Sequence, residues 1–223
     1  SAAEQKLTAG TGSASDWFGF SAGISGDTVI VGSILDLVGA NVDQGSATIF
    51  TRANNVWTEQ ATLTAPDGAS RDELGLSVAI DGDTAVVGAY KDDVGANENQ
   101  GSVWIFVRNG STWTPQVKLT ASDGAEGDLF GYSVAIDGNT VVIGAVGVDV
   151  GPYASYGAAY VFVRTGSVWN QQARLESTDG FTSDGFGLEV AIDGNTLVAA
   201  TGWHDVGANQ NQGAAWVFVR SGN

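Results

Sequence analysis

The chain has 223 residues, with 9 basic against 25 acidic side chains for a formal charge of −16, and it has no Cys, no Met and a single His. Zero Cys excludes disulfides, thiol nucleophiles, zinc-thiolate sites and iron–sulfur clusters, and one His excludes a His-pair metal site within one chain. A net charge this negative repels a phosphate backbone, so no nucleic acid is expected as a partner, and without an apolar run of 18 residues no membrane insertion is expected either.

The order of the chain is set by a repeat. Asp16, Asp72, Asp128 and Asp184 stand 56 residues apart, and Gly19, Gly75, Gly131 and Gly187 keep the interval, as do Phe50, Phe106, Phe162 and Phe218. Nothing is inserted or deleted, so one domain over residues 1–223 is expected, with repeats at about 4–57, 58–113, 114–169 and 170–223. The first element is a short segment, Glu4 to Ala9, equivalent to Gln116–Ala121 two repeats later. Each repeat then predicts strands of the kind seen at Val117–Ala121, Gly131–Ile136, Thr140–Ala145 and Ala158–Arg164, short β-branched or aromatic runs bounded by Gly, Asp and Asn. Between the Gly131 and Thr140 strands lies Asp137-Gly138-Asn139, echoed at Asp81-Gly82, Asp193-Gly194 and Ser25-Gly26, which predicts a tight hairpin with positive φ. Four strands and no helix per repeat is the pattern of propeller blades.

Phe130-Gly131 followed by Ile143-Gly144-Ala145, and Leu74-Gly75 followed by Val87-Gly88-Ala89, resemble FG-GAP repeats, the units of the integrin α-subunit propeller and of many secreted bacterial proteins. The resemblance spans essentially the whole chain and implies an all-β propeller of four blades in a secreted or cell-surface protein. The first repeat departs from it with Gly32-Ser33 and the fourth with Ala200-Thr201. Because the chain begins with a fourth-type strand and reaches Arg220 after a third-type one, the N-terminal strand is expected to complete the last blade. The alternative is half of an eight-bladed propeller, formed by a homodimer that exchanges these strands.

Integrin-like repeats hold calcium in a DxDxDG-type loop between the FG and GAP strands. Here that connection is a turn too short to wrap an ion wanting six to eight oxygens, so the family's calcium loop does not carry over. The remaining candidate for Ca²⁺ is the loop Asp123–Asp128 and its copies, with Asp67, Asp72, Asp123, Glu126, Asp128, Asp179 and Asp184 as ligands. The competing role for Asp128 and its equivalents is to accept backbone N–H bonds in Asx-turns.

Strand order sends these loops, and those between the second and third strands, to one end of the molecule, where most of the 25 acids also fall. In the second loop type, Asn and Gln side chains at Asp93–Gly101 and Asp205–Gly213 are expected to satisfy the loop's own backbone. Trp57, Trp113 and Trp169 recur with the period, as do Trp104, Tyr160 and Trp216, and are expected to pack structurally. Trp17, Tyr153, Tyr156, Phe181 and Trp203 do not recur, and all lie in loop-face segments, with His204 beside Trp203. Flat apolar rings without a periodic reason, flanked by hydrogen-bonding groups, point to a binding surface for carbohydrate or protein. The sequence therefore reads as a non-catalytic binding or adhesion module, with a self-assembling structural propeller as the alternative.

Overall fold

The computed structural model describes residues 4–221. Blade one contains β1 (Phe18–Ser25), β2 (Thr28–Ser33), β3 (Ser46–Ala53) and β4 (Val56–Leu63); blade two contains β5 (Leu74–Asp81), β6 (Thr84–Ala89), β7 (Ser102–Asn109) and β8 (Thr112–Leu119). Blade three contains β9 (Phe130–Asp137), β10 (Thr140–Ala145), β11 (Ala158–Thr165) and β12 (Val168–Leu175), and blade four β13 (Glu189–Asp193), β14 (Thr196–Thr201) and β15 (Ala214–Val219). Each sheet is an antiparallel meander in chain order. Asp137 pairs with Thr140 across Gly138-Asn139, with Gly138 at φ 55°, so the Asp-Gly signals close two-residue hairpins as expected.

The core lies between blades. Ile30, Ala47 and Ile49 of blade one pack with Leu74, Ala85, Val87 and Phe106 of blade two. Val86, Val103 and Ile105 of blade two meet Phe130, Val141, Ile143 and Phe162 of blade three in the same way. Strands buried on both faces explain the nearly continuous apolar runs, and each buried Ile, Val or Phe contributes about 1.5–3 kcal/mol. The recurring tryptophans seal the rim as expected: Trp113 Nε1 donates to Gln60 Oε1 of the preceding blade at 2.9 Å, and Trp169 Nε1 to Gln116 Oε1 at 3.0 Å.

At the inner end of each junction the backbones nearly touch. A Cβ on Gly32, Gly88 or Gly144 would overlap the carbonyl oxygen of Gly75, Gly131 or Gly187 in the next blade. The same three carbonyls accept the hydroxyls of Ser21, Ser77 and Ser133, each at 2.8 Å. In blade four the equivalent positions hold Ala200 and Glu189.

Closure by the N-terminal strand is not formed in this structure. Segment 4–9 is not paired with β15; it lies against blade one, where the Gln5 side chain bonds the Trp57 backbone at both N–H and C=O and Gly10 N–H donates to Glu59 at 2.7 Å. Blade four has three strands among the described residues, and Leu188 and Glu189 at its inner end line a central cavity with Phe20, Ser21 and Ala22 of β1. The physical reason is that the Gln5 side chain and the Gly10 N–H find their partners on β4 of blade one.

The inner-junction geometry gives a stability test. Gly88→Ala is expected to cost about 3 kcal/mol by overpacking against the Gly131 carbonyl, read as a drop in urea midpoint at unchanged m-value.

Candidate functional site

The FG loops are built around one buried carboxylate each. Asp72 Oδ2 accepts the N–H of Ala69 at 2.7 Å, Asp128 Oδ2 that of Ala125 at 2.7 Å and Asp184 Oδ2 that of Phe181 at 2.8 Å, while Asp16 accepts that of Ser13. Burial is the largest influence on Asp72 and raises its carboxyl from 3.8 to about 6, against the pull of the Ala69 N–H. Asp128 is raised for the same leading reason.

The calcium ligands expected from the sequence do not converge. Asp72, Asp128 and Asp184 are spent on backbone N–H groups, Asp67 is paired with Lys118 at 2.8 Å and Asp123 with Arg174. Among the described residues no group of three or more His, Asp or Glu side chains could hold a metal ion, and Glu126 joins none. The Asx-turn role is the one the geometry shows.

The loops between second and third strands fold as expected in blades one and two, where Asn41 and Asn97 donate to Gln44 and Gln100 at 2.8 Å and to the carbonyls of Gly68 and Gly124. Blade three puts Tyr153 and Tyr156 at the same two positions. Tyr156 is buried, and its hydroxyl donates to Ser177 O at 2.8 Å while accepting from Ser177 Oγ at 2.9 Å and Gly180 N at 3.0 Å. It replaces the glutamine as the internal tie of the loop, so the expectation that it binds ligand is corrected. Tyr153 is displaced outward and is 38% exposed.

Tyr153 meets Phe181 edge-to-face, with ring centroids 6.1 Å apart and planes at 82°, and Phe181 is 57% exposed. Together with Pro152, Thr178, Asp179 and Asp205 they line an open groove of about 920 Å³ at the blade three–four junction. His204, expected as a ligand-binding residue beside Trp203, lies at its floor and is buried. Its Nδ1 lies 2.8 Å from Asp184 Oδ2, its Nε2 3.8 Å from Asp179 Oδ2, and its ring stands edge-on to Trp216. A carboxylate only accepts, so the Nδ1–H donates.

The other two aromatics lie elsewhere. Trp203 covers Gly185, whose missing side chain leaves room for the indole, in a separate shallow crevice with Val146 and Leu129. Trp17 stacks on Phe20 on blade one, at a position with φ 56° that is also left-handed at Glu73, Leu129 and Gly185. Sequence reasoning missed Thr178, Pro152 and Asp205 as groove residues; their signal was position in the same two loops as Tyr153, Phe181 and His204.

Three four-stranded antiparallel sheets and one of three strands, packed face to face, define a propeller-type repeat module. The FG-GAP repeat family matches at residues 2–50, 57–106, 113–162 and 169–218, and the chain belongs to that family. No curated protein matches the chain.

Two outcomes are expected here. Tyr156→Phe leaves the Gly180 N–H and both Ser177 groups without their shared buried partner and lowers stability by about 1–3 kcal/mol in chemical denaturation. Asp72 binds its proton more tightly folded than unfolded, so its contribution falls as pH rises from 3.8 to about 6 and is constant above. The stability of Asp72→Asn relative to the parent should therefore improve between pH 4 and pH 6 and then level off, which urea titrations across that range will measure.

Proposed function

We propose that this chain is a non-catalytic binding module, secreted or on the cell surface, whose groove between blades three and four takes a neutral, hydroxyl-rich carbohydrate. The observation that carries the reading is the Tyr153–Phe181 pair. Two exposed rings set nearly perpendicular offer one apolar face for a sugar ring and a wall beside it. Neither ring is required by the repeat, since Asn97 and Ala125 occupy the equivalent places in blade two and at the start of blade three.

Polar partners surround the rings. Asp179, Asp205 and the Thr178 hydroxyl supply acceptors and a donor at the groove wall, which suits vicinal hydroxyls. The charge of −16 disfavours sulfated or phosphorylated glycans. At the floor of the groove His204 is buried with its Nδ1 bonded to Asp184, which fixes the ring beneath the ligand surface.

A glycan array followed by calorimetry on the best neutral ligand tests this. Phe181→Ala and Tyr153→Ala should each weaken binding about tenfold, the loss expected for one stacking ring, with melting temperatures close to the parent because both rings are exposed. Silence of the parent across the array, or affinities unchanged in both variants, would sink the proposal.

A further inference from the structure

The two segments that carry Tyr153 and Phe181 continue side by side beyond the groove. Ser183 N–H donates to Ala154 O at 2.8 Å, Gly185 N–H to Ser155 O at 3.0 Å and Phe186 N–H to Tyr156 O at 2.8 Å. At the far end of this pairing the indole of Trp203 lies over Gly185 and is 46% exposed. A crevice of about 380 Å³ opens beside it, lined by Leu129 and Val146 of blade three and by Ser155 and Ser183.

Comparison of the blades shows that this ring is an addition to the repeat. In blade two the positions of Trp203 and Gly185 hold Lys91 and Glu73, an ion pair at 2.6 Å whose carboxylate also accepts the Tyr90 hydroxyl at 2.7 Å. Blade three has Gly147 and Leu129 there, and blade one Leu35 and Trp17. The backbone does not require the glycine of blade four, because Glu73 and Leu129 adopt the same left-handed conformation, with φ 53° and 58° against 60° at Gly185. What the glycine supplies is room: a Cβ at position 185 would come within 2.8 Å of the indole. The ring is also held from its own side. The Thr201 hydroxyl donates to Asp184 O and accepts the Trp203 N–H at 3.2 Å, which gives a use to the Thr that replaces the repeat's alanine. A half-exposed indole seated on a glycine and anchored through its backbone is a preformed stacking surface.

We propose that the Trp203 crevice is a second subsite of the groove, and that the ligand is a linear, neutral oligosaccharide with one sugar at the Tyr153–Phe181 pair and a later one on Trp203. This rests on the carbohydrate reading of the groove. Phe181 and Gly185 are four residues apart, at most roughly 14 Å even for fully extended chain, so one short glycan reaches both aromatic surfaces. Ser155 and Ser183 are exposed and stand between them along the two segments, where their hydroxyls meet those of the intervening sugar.

Isothermal titration with cello-, malto- and N-acetylchito-oligosaccharides, each from monosaccharide to pentasaccharide, tests this. In the parent, affinity should rise about tenfold or more at the length that first reaches both surfaces and then level off. Trp203→Ala should remove that rise and leave the shorter sugars bound as before, which also reports a folded groove, whereas Phe181→Ala should weaken every length. Trp203→Leu keeps an apolar cover over Gly185 without the flat ring and should behave alike if alanine unsettles the loop. Affinity independent of length, or a rise that survives both Trp203 variants, overturns the second subsite and leaves the groove reading intact. Absence of heat with all three series also overturns it, and the groove reading then stands or falls on the glycan array.

Discussion

Everything in this molecule depends on how closely one blade's backbone can approach the next. At three junctions a glycine Cα faces a glycine carbonyl, and a serine hydroxyl bonds that same oxygen. The approach removes side chains from the inner end, so the strands there pack backbone to backbone while larger residues fill the space further out. It also sets each blade's tilt, and with it the alternation by which one face of a strand packs forward and the other backward. A single methyl group at this point is as disruptive as a polar group elsewhere in the core, because neither backbone can move without breaking its own sheet.

The second organising feature is one buried carboxylate per FG loop, with different neighbours in different blades. In blade two Lys118 bridges Asp67 and Asp92 close to Asp72, in blade three Arg174 joins Asp123 and Glu176, and in blade four His204 bonds Asp184 directly. The loop shape persists because the aspartate's bond to the N–H three residues earlier persists. What changes is the chemistry exposed at the surface, and in blade four the change brings His204, Asp179 and Phe181 to one groove.

Much of the fold was legible in the sequence because the repeat is exact in length. A 56-residue interval without gaps identifies equivalent positions, and equivalent positions in a repeat protein share an environment. That reasoning located the hairpins, the strands and the structural tryptophans. It was less reliable for Tyr156, since departure from the period marks both residues recruited for binding and residues that replace a neighbour's internal hydrogen bond by different means. Exposure separates the two: Tyr153 was pushed outward, and Tyr156 took over the glutamine's inward role.

By itself the sequence determined the number of blades, their strand order, the family and the crowding of acids and irregular aromatics at one end, since these follow from periodicity and composition, which are local. Only the tertiary structure decided that the carboxylates are committed to backbone N–H groups, that two of the six candidate residues are buried while Tyr153 and Phe181 meet, and that segment 4–9 lies on blade one. Those outcomes depend on which side chains occupy the same few cubic ångströms after packing and on the angle between successive blades, and neither is encoded at a single position.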